Sequence, residues 1–253
     1  MALPRAHLES ILRARRLDRT LTTSVAAPDP HDDAAIAPVG VKALDASLGG
    51  GFPRGQLSEV IGARSSGRAS LMHQMIAAAT GRGELVALVD ALDTFDVESA
   101  AAAGADLDRL LWIRGHVVVN PGLCRDLNQR ALEQVIRACA LVLQAGNFGL
   151  VIFDAGEAPA GALRRLPFTT WLRLQRMLEG SPTAGVLVVA EPTARSAAGL
   201  SLGLEARGSG ARFSPRMFDG LEIETRVIRA HKSQTPNPKS PSDVRVSLST
   251  AAG

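Results

Sequence analysis

Nine consecutive residues, Gly62-Ala63-Arg64-Ser65-Ser66-Gly67-Arg68-Ala69-Ser70, carry the strongest chemical signal in the sequence. They follow an apolar run of strand length, LSEVIG over 57–62, and lead into Leu71, Met72, Met75, Ile76 and Ala79 at helical spacing. A strand, a glycine-rich loop and a helix in that order can cradle phosphate, because glycines let backbone N–H groups converge and a helix N-terminus carries partial positive charge. The spacing of Gly62 and Gly67 is that of such a loop. Two chemical positions do not conform. The motif places lysine after its second glycine, to reach the terminal phosphates, and serine or threonine next, to ligate Mg²⁺; this chain has Arg68 and Ala69. A guanidinium is larger and fork-shaped where a compact ammonium is expected, and alanine has no hydroxyl. Ser70 comes one residue late, about 100° further round a helix of 3.6 residues per turn. Three outcomes stay open: a vestigial structural turn, which the two losses favour, residual nucleotide or phosphate binding, and ordinary ATP hydrolysis.

The elements around this loop repeat one pattern. LSEVIG (57–62), LVALVD (85–90), LLWIR (110–114), LVIFDA (150–155) and GVLVVA (185–190) read as short buried strands, with helices at about 69–80, 95–103, 129–145 and 167–179 between most of them. Such alternation predicts an α/β fold with a doubly wound, mostly parallel sheet and helices on both faces. Residues 193–216 are rich in Ala, Gly, Ser and Arg and read as flexible. Beyond them LEIETRVIRAH (221–231) and VRVSLS (244–249) alternate as half-buried strands, predicting a C-terminal antiparallel hairpin across a polar, Pro-rich, mobile loop (233–243).

The N-terminal part differs. Leu8, Ile11, Leu12 and Leu21 fall near one face of a helix over 5–21, with Arg13, Arg15, Arg16 and Arg19 mostly on the other. Residues 22–38, with Pro28, Pro30 and Pro38 among small and acidic residues, read as an extended tether. The helix either packs on its own domain or docks on a partner or neighbouring subunit. The expected organisation is therefore a helical arm (1–21), a linker (22–38), a core (39–232) and a mobile loop with a terminal strand (233–253).

Composition narrows the classes further. The chain has 253 residues, 46% hydrophobic and 21% charged, which excludes a disordered or miniature protein. The net charge of +3 is too mild to argue for nucleic acid by itself. Only Lys42, Lys232 and Lys239 among the 28 basic residues are lysine, a bias that a GC-rich genome explains without function. Cys124 and Cys139 have neither a CxxC partner nor a histidine at metal-ligand spacing, so no disulfide framework and no metal site is expected. No apolar run approaches the ~18–20 residues of a membrane span and no targeting segment is read, so a cytoplasmic protein with no membrane partner is expected. No GxSxG elbow is present, and the five histidines lie in unrelated contexts, His73 reading as packed or partly exposed rather than catalytic. Glu133 and Arg137 are spaced as a helical surface pair.

The ordered motifs support a resemblance. GVKALDASLGGGFPRGQLSEVIG leading into the loop, SSG at its centre, then LVALVDALDTFD and GADLDRLLWIR make residues 40–114 similar to the ATP-binding half of the RecA recombinase family. The likeness continues through LVIFDAGEA, where Asp154 matches the Walker B aspartate, and extends to about 232. The resemblance implies a RecA-like core. It also exposes two further departures: the family's catalytic glutamate falls on Leu92, with Asp93 and Asp96 as nearby substitutes, and its γ-phosphate-sensing glutamine falls on Pro192. Lysine, metal hydroxyl, base and sensor are thus all missing, which implies a relinquished ATPase. ATP binding is left open; hydrolysis and a required cofactor are not expected.

Within that superfamily the short form, the tethered helix and the stretch LRRLPFTTWLRLQRMLEGSPTAGVLVVAEPTARSAAGLSL (163–202) resemble the ImuA family of bacterial damage-inducible mutagenesis cassettes. The resemblance implies a non-catalytic scaffold of SOS-induced, error-prone translesion synthesis. Its partners would be an ImuB-like inactive polymerase and, indirectly, an error-prone replicative-type polymerase, with RecA and DNA as further candidates. Nucleoid association on induction would follow. The bottom-up reading of the same stretch gives Trp171, Leu172, Leu174, Met177 and Leu178 as a buried helical face, and Arg164, Arg165, Arg173 and Arg176 as a basic side. Those arginines, with Arg195, Arg207, Arg212 and Arg216 beyond, are either solvated or meet an acidic partner or phosphate backbone. Phe213 is the lone aromatic of the later stretch, which leaves little for base stacking. Two other readings remain: a DNA-dependent ATPase with a rearranged loop, and an SOS-type cell division inhibitor on a degenerate RecA-like core.

Overall fold

The computed structural model describes residues 35–116, 125–194, 199–205, 211–214, 217–229 and 243–249. The predicted helical arm, with Leu8, Ile11, Leu12 and Leu21, and most of its tether lie outside the described residues. The last tether residues do not continue as linker: β1 (Ile36–Ala37) pairs antiparallel with β2 (Phe52–Pro53), and Ala37 is buried. Between them runs a short helix, α1 (Lys42–Ser47), which the sequence pattern does not announce.

The core alternates as expected. Strand β3 (Leu57–Gly62) leads to α2 (Arg68–Gly81), β4 (Leu85–Asp90) to α3 (Val97–Ala102), and β5 (Leu110–Arg114) to α4 (Arg125–Ala145). Then come β6 (Phe148–Asp154), the short α5 (Ala160–Arg164), α6 (Phe168–Leu178) and β7 (Ala184–Val189). The last elements are β8 (Ser201–Glu205), β9 (Ala211–Ser214), β10 (Met217–Arg229) and β11 (Asp243–Ser249). One sheet runs β11-β10-β8-β3-β7-β6-β4-β5, with β9 beside β10. From β8 to β5 every pairing is parallel, whereas β10 pairs antiparallel with β8, β9 and β11.

Period two along the strands divides the core into two layers. Val86 and Leu88 of β4 and Leu150 and Ile152 of β6 face Leu71, Met75 and Ile76 of α2. Their neighbours Ala87, Val89, Val151 and Phe153 face Leu132 of α4 and Trp171 and Leu174 of α6. Helices thus cover both faces, as the doubly wound pattern requires. Cys139 is a buried free thiol in the second layer, its pKa pushed up to about 12 by burial. No helix among the described residues is long and apolar enough to cross a membrane.

The C-terminal antiparallel hairpin forms as expected, β10 pairing with β11 from Gly220 opposite Ser249 to Arg226 opposite Asp243. The stretch 193–216 is less open than its composition suggests. Its residues 201–205 form β8, whose Leu202 and Leu204 are buried and which pairs parallel with β3. Gly199 and Gly203 make that strand possible, since a Cβ at Gly199 would lie 2.9 Å from the backbone nitrogen of Ser58. Arg212 falls in β9; Arg195, Arg207 and Arg216 lie outside the described residues, as does the loop 233–242.

Candidate functional site

The glycine-rich loop sits at the carboxyl end of β3, beside the ends of β6 and β4, where open α/β sheets bind ligands. Gly67 ends the loop in the left-handed region (φ 91°) and provides no side-chain cap to the first turn of α2. Ser65 also has positive φ (64°). Positive φ at both positions is a backbone feature that phosphate-binding loops also use to bring N–H groups together. Gly62 is required by close packing: a Cβ there would lie 2.9 Å from Cβ of Ser66. The hydroxyl of Ser66 is buried with no hydrogen-bond partner.

Arg68 does not extend over this concavity. Its side chain is 8% exposed and lies across Gly156, where an added Cβ would come within 2.8 Å of Cζ. Nη2 donates to Oε1 of Glu157 at 2.8 Å, and buried Nη1 has no partner. Neither Gly156 nor Glu157 figured among the site residues expected from sequence. The burial of Arg68, which its sequence position does not reveal, is what calls for them: a buried arginine needs an acid, and a small residue must let the guanidinium approach it.

Asp154 ends β6 opposite Asp90 of β4, and its Oδ1 accepts from the N–H of Gly156 at 2.9 Å. Asp154 keeps part of its surface open to the pocket but is enclosed by protein elsewhere. That burial pushes the pKa of its carboxyl up to about 6, against the lowering effects of the Gly156 hydrogen bond and the Arg68 charge. A cavity of about 460 Å³ joins Asp154 to Arg68, Ala69, Ser70, His73 and Phe95. His73 is buried against Phe95, ring centroids 5.5 Å apart, and burial holds its pKa below the usual imidazole range. It is packed, as the sequence reading expected.

The residues near the expected catalytic base have other work. Leu92 packs into the layer beneath α4 and α6, on the sheet face opposite α2. Asp93 is held by Arg114, whose Nε and Nη2 donate at 2.6 and 2.7 Å, and the guanidinium of Arg114 stacks 4.7 Å above the Trp112 ring. Asp96 is the N-cap of α3, accepting from the N–H groups of Glu98 and Ser99. Asp90 braces the connecting loop through the N–H groups of Leu92 and Phe95 and through Trp112 Nε1.

Pro192 lies in the segment leaving β7. Buried Glu59 of β3 holds that segment, its Oε1 accepting from the N–H of Thr193 at 2.9 Å and of Ala194 at 2.5 Å. The link between the loop-bearing strand and this segment is therefore made by a side chain of the protein.

The four described arginines of 163–202 do not converge. Arg164 pairs with Glu191 beside a cavity of about 460 Å³ that Phe168, Trp171 and Pro192 also line. Arg165 is exposed on the turn after α5, whereas Arg173 and Arg176 project from α6 toward α4. The buried stripe of α6 is Trp171, Leu174, Gln175 and Leu178. Leu172, expected in that stripe, is 37% exposed, because it lies a quarter-turn away from Trp171. The expected Glu133–Arg137 pair is also absent among the described ion pairs; Glu133 accepts from Gln129 Nε2 at 3.4 Å instead.

Residues 22–155, just over half the chain, match the RecA N-terminal domain. The chain belongs to the RecA superfamily. Among similar RecA proteins, that of Clavibacter michiganensis subsp. michiganensis is 35% identical over 131 residues, covering 51% of this chain and 32% of its own length. Those of Streptomyces avermitilis and Salinispora tropica are each 27% identical over 221 residues, 81% of this chain and 54% and 58% of their own. The chain thus spans roughly a third to three fifths of the length of these RecA relatives. Within a RecA-like frame the donor set at Arg68, Ala69 and Leu92 does not fit a hydrolysing Mg²⁺–nucleotide site: the guanidinium is committed to Glu157, residue 69 offers no hydroxyl, and residue 92 is a packed leucine. What the loop retains in common with an anion site is its backbone, with positive φ at Ser65 and Gly67 and an uncapped first helical turn.

Proposed function

We propose that this chain is a RecA-like scaffold that does not hydrolyse ATP. It would serve an SOS-induced, error-prone translesion synthesis complex in the manner of the ImuA family. The observation that carries the reading is the Arg68–Glu157 pair across Gly156. A guanidinium that is already desolvated and paired has little to gain from a phosphate, and freeing it would leave Glu157 and Asp154 side by side without their cation. The engagement of Asp93 with Arg114 and of Asp96 with the start of α3 supports the same reading, since neither is free to orient water. The tie between Glu59 and residues 193–194 gives a nucleotide-independent reason for the post-β7 segment to hold its place.

In this reading the partners are an ImuB-like inactive polymerase, through it an error-prone replicative-type polymerase, and as further contacts RecA and DNA. The experiment is affinity purification of the tagged chain from damaged cells of its own source. Recovery of a polymerase-like protein, together with loss of induced mutagenesis on deletion of the chain, is the expected result. Filamentation on overexpression with no effect on induced mutation would instead favour a division inhibitor. The uncapped start of α2 keeps one alternative in play, a rearranged DNA-dependent ATPase, which Mg²⁺-dependent ATP binding in calorimetry would favour.

A further inference from the structure

Helices α4 and α6 pack side by side over the second core layer and leave a groove of about 950 Å³ facing outward. From α4 it is lined along one stripe by Ile136, Arg137, Ala140 and Leu141, and from α6 by Leu172, Arg173, Arg176 and Met177. Leu141 is 67% exposed and Leu172 37%, so the floor is apolar and open rather than part of the core. Arg137, Arg173 and Arg176 rim it against one carboxylate, Glu133, all four exposed, and none of the three arginines joins an ion pair among the described residues, so the rim is net basic. The 11 residues of α6 extend about 16 Å at 1.5 Å per residue, enough for about three turns of a docked helix.

We propose that this groove seats an amphipathic helix of a partner protein with acidic residues flanking its apolar stripe. The inference rests on the scaffold reading above and names the surface that does the binding. Charge selects the occupant. The chain's own segment 5–21 has the right apolar spacing but carries five arginines against two carboxylates, which would set like charge against the rim, whether from the same chain or a second copy. Nucleic acid would satisfy the arginines but leave Leu141, Leu172 and Met177 facing a polyanion. An acidic amphipathic helix satisfies both, with apolar anchors at i, i+3/i+4 and i+7 over the floor and carboxylates against the rim.

The test uses the full-length, tagged chain with a photo-crosslinking phenylalanine derivative in place of Leu172, irradiated in cells after DNA damage, and the attached peptide is sequenced. The expected peptide comes from another protein, has apolar residues at helical spacing and is flanked by Asp or Glu. Its attachment should fall about tenfold or more in the Arg173→Glu/Arg176→Glu variant and return when two of its acids are changed to lysine. Both arginines are exposed, so the unfolding midpoint of that variant should match the parent, separating loss of binding from loss of fold. Attachment to residues 5–21, attachment to nucleic acid, or attachment indifferent to charge reversal overturns the proposal. If nothing attaches at the groove while the tag still recovers the polymerase-like partner, the groove proposal falls and the scaffold reading stands; if neither occurs, both fall.

Discussion

The guanidinium of Arg68 crosses Gly156 and donates from Nη2 to Oε1 of Glu157 at 2.8 Å, joining the first turn of α2 to the loop after β6. In a phosphate loop the residue at this position faces the ligand. Here it makes a contact within the protein, between the first turn of α2 and the loop after β6. Glu157 is partly open to solvent, so the pair is screened on one side, but the arginine is buried.

Removing the acid should therefore cost more than removing the pair. Glu157→Ala is expected to lower the unfolding free energy by about 1–3 kcal/mol, because it leaves a buried cation unpaired. The Arg68→Met/Glu157→Ala double variant should recover much of that loss. Gly156→Ala should be destabilising on its own by displacing the guanidinium. Urea unfolding of these three variants beside the parent checks the order; equal losses in the single and double variants would show that the pair does no structural work.

Asp154 predicts a pH dependence of defined sign. Its carboxyl titrates at about 6 when folded and at about 3.9 in an unfolded chain, so the native state binds the extra proton between those values. Stability from this group is present below about pH 4 and declines as pH rises toward 6, by about 2–3 kcal/mol in all. Asp154→Asn removes that decline. The difference in unfolding free energy between the Asp154→Asn variant and the parent should grow in favour of the variant from pH 4 to pH 6.5, measured by urea unfolding. A difference that stays flat would mean that Asp154 is solvated like an ordinary carboxylate.

Restoring the two loop residues should separate binding from turnover. Arg68→Lys/Ala69→Thr supplies the ammonium and the metal hydroxyl, and should raise affinity for Mg²⁺–ATP in calorimetry. It should not yield DNA-stimulated hydrolysis, since Leu92, half-buried against the core, has no carboxylate and Pro192 has no side-chain amide to sense phosphate. Turnover in this double variant would show that residues 92 and 192 are dispensable.

The fold was largely legible because its signals are local. Strands β3, β4 and β5 fall at the expected residues, and α2 and α6 within one residue at each end, since apolar runs and helical periodicity set them. What was missed depends on tertiary contacts. Strand β8 lies in a Gly-, Ala- and Ser-rich stretch without strand propensity and exists because β3 and β10 offer open edges on either side. The short α1 and α5 carry too few residues for a period to show. At the site, Gly62, Ser65, Ser66, Gly67, Arg68, Ala69, Ser70 and Asp154 come together as the motif order requires, all but buried Gly62 and Ser66 lining one cavity. The partner of Arg68 was not legible, because a contact across 89 residues leaves no trace in spacing. Leu172 reads as part of the buried helical face with Trp171 and Leu174, but its angular position a quarter-turn from Trp171 places it on the groove.

The central claim, a RecA-like core that no longer cycles ATP, is tested most directly by steady-state ATP hydrolysis of the purified full-length chain with Mg²⁺, with and without single-stranded DNA. The account predicts no DNA-stimulated turnover, and no change in that baseline on substituting Arg68→Ala. Turnover near that of an ordinary recombinase, abolished by Arg68→Ala, would contradict it.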